Sequence, residues 1–154
     1  MAKSGRRGTG ESAPKGTARR TLSKARFFLA QADRSERYIE AYECYVEAAL
    51  VFARTALDHL KREYGGKLKS ARKLDFKRWI ELREHNPLIK DLIDRRDSLI
   101  HERSTSIIPS LKDAFYLENS IDEASPEAKA AHERLPDYLD EIEAIIDECE
   151  KQFK

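Results

Sequence analysis

The sequence predicts an all-α fold, an antiparallel bundle of four to five helices in one domain. Charged residues make up 37% of the 154-residue chain, and glycine and proline are scarce. This composition favours helices over a turn-rich β fold. Apolar residues also recur at three- and four-residue spacing along several long segments, which is the periodicity of amphipathic helices that pack around a shared core.

The domain is predicted to cover residues 21–154, after a flexible basic tail at residues 1–20. The tail carries six basic residues against one acid, Glu11, and is rich in glycine, serine, threonine and alanine. A segment of this kind has too few apolar residues to pack. The rest of the chain is long enough for one domain with a core of its own.

The first helix is predicted over Thr21–Ala32 and a long second helix over about Ser35–Tyr64, ending at Gly65 and Gly66. The apolar arc of the second helix is wide, so we expect this helix to lie at the centre of the bundle, contacted from several sides. Its expected inward residues are Tyr38, Ala41, Tyr42, Tyr45, Ala48, Ala49, Phe52, Ala53, Ala56 and Leu60.

A third helix is predicted over Asp75–His85 and a fourth from Pro87 to about Ser104. Asn86 is the expected N-cap of the fourth helix, and Pro87 suits its first position, where a backbone N–H has no helical partner in any case. Residues 105–124 carry mixed signals and predict no regular element.

The last helix is predicted to begin at Ser125, a serine N-cap that is followed by Pro126. Pro136 is expected to interrupt it, because proline lacks the backbone N–H and its ring clashes with the preceding turn. The apolar stripe that should face the core consists of Tyr138, Leu139, Ile142, Ile145, Ile146 and Cys149.

Charge is unevenly distributed, although the net charge is only +1. Residues 61–78 are strongly basic and residues 121–154 strongly acidic, which predicts a basic surface for a polyanion and an acidic helix elsewhere. Solvated helix faces are the alternative for both segments.

Cysteine content and hydropathy exclude several classes of protein. Cys44 and Cys149 are too few and too far apart for a disulfide scaffold, so we expect reduced thiols in a cytoplasmic protein. No apolar run reaches the 18 residues typical of a membrane span. Spacings typical of zinc sites are also absent, and we expect no metal or other cofactor.

Arg96 is the most unusual residue of the fourth helix. On a helical wheel it projects into an apolar arc, which consists of Leu88, Ile89, Leu92, Ile93, Leu99 and Ile100. Burying an unpaired guanidinium is costly, because its bound water must be removed. Arg96 must therefore pair with a carboxylate, or face a cleft or a subunit interface.

A histidine follows Arg96 after five residues, and the two could serve one reaction. His101 stacks four residues beyond Asp97, which is placed to hold one ring N–H and leave the other nitrogen free for proton transfer. Ser98 also lies within reach of His101. An arginine that binds phosphate and a histidine that moves protons suffice to cleave RNA through its own 2′-hydroxyl, without a metal. Arg96 and His101 lie about 140° apart on a straight helix, so they need a bend, the length of Arg96 or a second subunit to meet.

The segment from Arg96 to His101 resembles the R-x(4–6)-H motif of the HEPN superfamily, in which a polar residue, here Asp97, commonly follows the arginine. The longer form E-x3-K-R-x(4–6)-H is similar to Asp91-x3-Arg95-Arg96-x4-His101. The order of elements agrees: a long Ala/Tyr-rich helix, a tryptophan-bearing segment, and Asn-Pro before the motif helix. The resemblance covers roughly residues 22–104.

The resemblance implies a HEPN-like bundle that forms a homodimer, with the two motifs facing each other across a cleft. In catalytic members such a cleft is a metal-independent RNA-cleaving site, and many members are toxins or defence nucleases with an antitoxin partner. Arg96, His101 and Asp97 are then the expected catalytic residues. Arg95, Ser98 and Arg103 are the expected substrate contacts. Arg103 stands where members regulated by tyrosine nucleotidylation have tyrosine, so that regulation is not predicted.

Other interpretations of the same residues stay open. Arg96 could form a structural ion pair with Glu43 or Glu47 of the long helix. The domain could be an inactive HEPN-like interaction module that binds a protein or nucleic acid, or it could bind nucleic acid through the tail and residues 61–78 alone. The remaining histidines, which we interpret as bystanders without converging partners, are His59, His85 and His132.

Overall fold

The computed structural model describes residues 13–35, 37–66, 68–106 and 124–153, and of residues 100–106 the backbone alone. It confirms the all-α prediction, since these residues form five helices and no strand. The helices are α1 (Thr17–Arg34), α2 (Ile39–Gly65), α3 (Ser70–Glu84), α4 (Pro87–Ser106) and α5 (Pro126–Gln152). Of the segment with mixed signals, residues 107–123 lie outside the described residues.

Helix α2 lies at the centre of the bundle, as its wide apolar arc predicts. It packs against each of the other four helices, and most extensively against α1. Alanines allow this close approach, because a methyl group is the smallest side chain that still buries apolar surface. The buried alanines of the two helices are Ala18, Ala25 and Ala32 in α1 and Ala49, Ala53 and Ala56 in α2.

Tyr38 was expected to face inward, and this prediction is wrong. The structure places Tyr38 immediately before α2, with 72% of the residue exposed. Helix α2 begins at Ile39 and not near Ser35, because Ser35 still belongs to the end of α1, where its N–H donates to the carbonyl of Ala32.

Helix α1 begins at Thr17, inside the predicted tail, so its start at Thr21 was placed four residues too late. The cause is a tertiary contact with α2. The buried carboxylate of Glu63 accepts hydrogen bonds from the backbone N–H groups of Gly16 and Ala18, and so satisfies donors that a helix start leaves free. Residues 1–12 of the tail lie outside the described residues.

Helix α5 continues through Pro136, so the predicted interruption is wrong. The residues on either side of the proline explain why. Leu135, Tyr138 and Leu139 are fully buried, and burial of each large side chain contributes about 1.5–3 kcal/mol. This gain offsets the hydrogen bond and the clash that the proline costs, about 3 kcal/mol in a helix interior.

Both predicted N-caps are confirmed. The side-chain oxygen of Asn86 accepts from the N–H of Leu88 at 2.9 Å at the start of α4. The hydroxyl of Ser125 accepts from the N–H of Ala128 at 3.2 Å at the start of α5.

The acids of α5 pair with arginines of α1 and α3. Arg19 bonds both Asp147 and Glu150. Two turns further along α1, Arg26 bonds Glu143 at 2.8 Å and also Asp140. From α3, Arg83 bonds Glu148 and lies over the ring of Trp79. These pairs are partly exposed, so each contributes little alone. Together they fix which sides of α1 and α3 face α5.

Replacing Glu63 tests the tertiary cap of α1. We expect Glu63→Ala to lower the free energy of unfolding by about 2 kcal/mol, since two backbone N–H groups lose their acceptor. Urea denaturation followed by circular dichroism measures this loss. Glu81→Ala, which removes an exposed carboxylate of α3, is the matched control, and an equal loss in both variants would contradict the role of Glu63.

Candidate functional site

The candidate site lies on the second half of α4, beyond the part of the helix that is anchored in the core. Ile89 and Leu92 are fully buried, and the amide of Asn86 donates to Glu141 of α5 at 2.8 Å. From Ile93 to Leu99 every side chain is half-buried or exposed. Ile93 and Leu99 still pack against the core, so the helix becomes less deeply buried, without leaving the core, where the predicted site residues begin.

Arg96 is neither deeply buried nor fully solvated. Its side chain is 36% exposed, and its Nη1 bonds Asp97 Oδ1 at 2.8 Å. Its Nε is buried and has no hydrogen-bond partner among the described residues. The proposed pairing with Glu43 or Glu47 is not among the described contacts, and Glu43 accepts instead from the N–H of Ser125. Arg96 thus keeps a donor that no described acceptor satisfies.

The other predicted site residues differ in what the structure shows of them. Asp97 and Ser98 are exposed on α4, and the described contact of the Asp97 carboxylate is with Arg96. His101 and Arg103 lie in the last part of α4, where the backbone is helical. Their side chains lie outside the described residues, so the predicted contact between Asp97 and His101 stays a prediction.

Arg95 is held in a network that connects α4 to α5. Its Nε bonds Asp91 Oδ2 at 3.1 Å, and the same oxygen accepts from the hydroxyl of Tyr138. Tyr138 is fully buried, so its hydroxyl needs such a partner. Arg95, predicted as a substrate contact, therefore has a structural partner within its own helix.

The network shifts the acid–base behaviour of its members. Partial burial alone would raise the pKa of Asp91, but the hydrogen bonds from Tyr138 and Arg95 hold that pKa below its ordinary value. Burial, and then the hydrogen bond to Asp91, raises the pKa of Tyr138. Asp91 therefore stays ionised and Tyr138 protonated at neutral pH.

The sequence does not predict this network, because Tyr138 belongs to the apolar stripe of the last helix. The tyrosine does face the core, but its hydroxyl reaches a carboxylate of another helix. One signal was available: Asp91 and Arg95 are four residues apart, the spacing of a helical ion pair. The third member could not be inferred without knowing how α4 and α5 pack.

Two histidines interpreted as bystanders have partners, which corrects that prediction. His132 of α5 contacts the hydroxyl of Tyr42 through Nδ1 at 2.8 Å and Asp33 through Nε2 at 2.5 Å. His59 of α2 contacts the hydroxyl of Thr21 at 2.7 Å. These contacts join α1, α2 and α5, which the sequence spacing alone does not bring together.

A cleft of about 590 Å³ opens where the ends of α1, α2, α3 and α5 meet. Its carboxylates are already engaged, since Glu63 caps α1 and Glu150 bonds Arg19. None of the predicted site residues lines it. Other lining residues are Lys15, Lys69, Arg72 and Phe153.

The described part of the chain shows neither a metal-ligand cluster nor an apolar helix that could span a membrane. Within it, no three side chains of histidine, cysteine, aspartate or glutamate converge as a metal site would require. None of its helices combines the length and apolar character needed to cross a bilayer.

Compared with protein-family models, curated proteins and solved structures, the chain matches none. The HEPN resemblance therefore stays a prediction from the motif around Arg96 and the order of the helices.

Replacing the Tyr138 hydroxyl tests the α4–α5 network. We expect Tyr138→Phe to lower the free energy of unfolding by about 1–2 kcal/mol at pH 7. Because the folded-state pKa of Asp91 is lowered, its contribution is present above the unfolded pKa, about 4, and fades as the pH falls through the folded value. The difference between wild type and variant should therefore shrink below about pH 4.

Urea unfolding at pH 7 and at pH 3 provides the measurement. Tyr38→Phe is the matched control, because Tyr38 is exposed and loss of its hydroxyl should cost less than about 0.5 kcal/mol. A Tyr138→Phe loss that stays the same at both pH values would show that the ionised form of Asp91 is not its acceptor.

Proposed function

We propose that this protein is a metal-independent endoribonuclease of the HEPN type, with a composite Arg/His site in the cleft of a homodimer. Arg96 binds and polarises the scissile phosphate. His101 acts as general acid and base, and Asp97 orients it. In this proposal the protein is a toxin or defence effector in the cytoplasm, controlled by an antitoxin partner.

The state of Arg96 is the observation that carries the proposal. Other arginines of the bundle, such as Arg19 and Arg26, bond carboxylates of a neighbouring helix. Arg96 bonds only the adjacent Asp97 among the described residues, and its buried Nε has no described acceptor. Arg54 and Arg83 also carry a buried nitrogen without an acceptor, but each forms an ion pair with a carboxylate of another helix. A phosphate group supplies several anionic oxygens, which are the acceptors that a guanidinium binds best.

The Asp91–Arg95–Tyr138 network supports the proposal because it fixes α4 next to Arg96. It ties the helix to α5 one residue before Arg96. A catalytic side chain is more effective on a rigid element, because small displacements of the reacting groups cost rate. Arg95 then has a positioning role, and Arg96 is the guanidinium left for substrate.

The chemistry requires only proton transfer and charge stabilisation. A histidine removes the proton from the 2′-hydroxyl, whose oxygen forms a bond to the adjacent phosphorus. The bond from phosphorus to the 5′-oxygen breaks, and that oxygen takes a proton. The products are a 2′,3′-cyclic phosphate and a 5′-hydroxyl. Arg96 stabilises the negative charge that develops on the phosphate oxygens.

RNA cleavage in EDTA is the direct test of this mechanism. We expect the wild-type protein to cleave RNA, and we expect His101→Ala and Arg96→Ala to reduce the rate at least ~100-fold, the lower range for loss of acid–base catalysis. Gel analysis of labelled RNA measures the rate, and mass spectrometry of the fragments should show the cyclic phosphate.

Two exposed residues provide matched controls: His85→Ala, directly after α3, for the histidine, and Arg78→Ala, within α3, for the arginine. Both should cleave as the wild type does. Cleavage that persists in His101→Ala, or that disappears when EDTA is added to the wild type, would exclude the mechanism.

A stability measurement separates a functional from a structural Arg96. We expect Arg96→Leu to leave the free energy of unfolding unchanged or higher, because an apolar residue replaces a guanidinium with an unsatisfied buried nitrogen. The same variant should not cleave RNA. A loss above about 1 kcal/mol in urea denaturation would indicate a structural ion pair instead.

One observation favours a second function, an inactive interaction module. The bond between Arg96 and Asp97 partly neutralises the guanidinium within its own helix. An inactive module would bind its protein partner equally well with His101→Ala. It would also not inhibit growth when expressed, whereas an active toxin should do so in a His101-dependent manner.

A further inference from the structure

One side of α1 carries basic and aromatic residues in a continuous line. Arg20, Lys24, Phe27, Gln31 and Arg34 follow at spacings of four, three, four and three residues, which places them on one face of a helix. We call these five residues the α1 stripe. Phe27 is 57% exposed, and the three basic residues are exposed as well. An exposed phenylalanine between cations is not needed to fold the bundle.

Beside the α1 stripe, three rings of α1 and α2 stack in the groove between the two helices. Phe28 lies parallel to Phe52, with centroids 5.4 Å apart and planes 8° apart, and it also stacks on Tyr45 at 6.2 Å. Phe27 meets the edge of Phe28 at 5.4 Å. Lys24 lies over Phe52 at 5.8 Å. The stacked rings form a half-buried surface that supports Phe27.

The cations of the α1 stripe differ from the other arginines of α1. Arg19 and Arg26 point to α5, where carboxylates bond them. Arg20, Lys24 and Arg34 form no ion pair with any described residue. Asp33, the only acid within α1, bonds His132. Among the described residues, carboxylates thus pair with one side of α1 and leave the other side positive.

From this geometry we infer that the α1 stripe and the stacked rings beside it bind single-stranded RNA. Cations along a groove attract the phosphates, and exposed rings stack unpaired bases, whichever base is present. A duplex fits less well, because its bases are already stacked on each other. The inference rests on the proposed function for the choice of RNA as ligand.

A second copy of the chain is a poorer occupant of this surface. If two copies met through it, Arg20, Lys24 and Arg34 would face their own equivalents with no described carboxylate between them. Like charges that meet at an interface oppose association. A polyanion removes this repulsion.

The α1 stripe lies on a different side of the bundle from Arg96. Helix α1 packs on α2 and α5, whereas α4 packs on α2, α3 and α5. The surface therefore does not take part in bond cleavage. It holds a part of the RNA strand away from the scissile phosphate and favours substrates with an unpaired segment beside the cleavage position.

Fluorescence anisotropy with a labelled 12-nucleotide oligouridylate tests the inference. His101→Ala serves as the parent protein, so that the RNA stays intact. We expect Phe27→Ala in that parent to weaken binding at least ~5-fold, the lower range for loss of one base–aromatic stack. Leu82→Ala, which removes an even more exposed apolar side chain from α3, should bind as the parent does. A duplex of the same length should bind more weakly than the single strand.

Charge variants test the other half of the surface. Replacing Arg20, Lys24 and Arg34 together by glutamine should reduce the slope of log affinity against log salt by about 2, given about 0.7 per cation for single strands. The comparison protein has Lys73, Lys77 and Arg78 replaced by glutamine, which changes net charge equally. Equal reductions in both triple variants would overturn the inference, because they would indicate non-specific attraction.

Two further outcomes would also overturn it. One is binding by a folded Phe27→Ala variant that equals the parent. The other is a change of oligomeric state in Phe27→Ala during sedimentation, which would make the surface an interface between copies. Failure here and failure of the proposed function are distinguishable: Phe27-dependent binding without cleavage supports this surface alone, and Arg96-dependent cleavage with Phe27-independent binding supports the nuclease alone.

Discussion

The packing of α2 against all four other helices is the constraint on which the rest of the structure depends. Its buried face is built from alanines at the contact with α1 and from larger aliphatic residues elsewhere. Small side chains let α1 approach closely along its whole length, and that approach brings Glu63 to the start of α1. The same contact brings aromatic rings from both helices together at the outer edge of the groove. A bulky residue in place of Ala53 would push α1 away from α2, and would so disrupt both the capping of α1 by Glu63 and the stacked rings.

Charge then decides which side of each helix faces its neighbours. The acids of α5 lie opposite arginines of α1 and α3, and each exposed pair contributes little to stability by itself. Their value lies in orientation, since a rotated helix would leave acids and bases unmatched. This arrangement explains why residues 121–154 are so acidic without requiring a basic partner. It also makes the cations on the outer side of α1, which have no ion-pair partner among the described residues, informative about a ligand.

In the candidate site, too, the role of each charged side chain depends on whether it has a partner. Two neighbouring arginines of α4 have different environments: Arg95 is bound into a network with Asp91 and Tyr138, and Arg96 has a buried nitrogen without an acceptor among the described residues. The pattern of the sequence predicts that Arg96 is unusual, because it interrupts an apolar arc. It does not distinguish the roles of the two arginines, because that difference arises from a tyrosine more than 40 residues away in sequence.

The sequence alone determined the helical class, the two N-caps at Asn86 and Ser125, the central place of α2 and the singular position of Arg96. All of these depend on local spacing or on single-residue preferences, which act within a few turns of helix. The tertiary structure alone decided that α1 begins at Thr17, that α5 continues through Pro136, and that His132 bonds Tyr42 and Asp33. Each of these outcomes depends on a contact between helices, whose energy no local pattern contains. For the same reason, only the packing of α1 on α2 and α5 decided which cations of α1 pair with a carboxylate among the described residues.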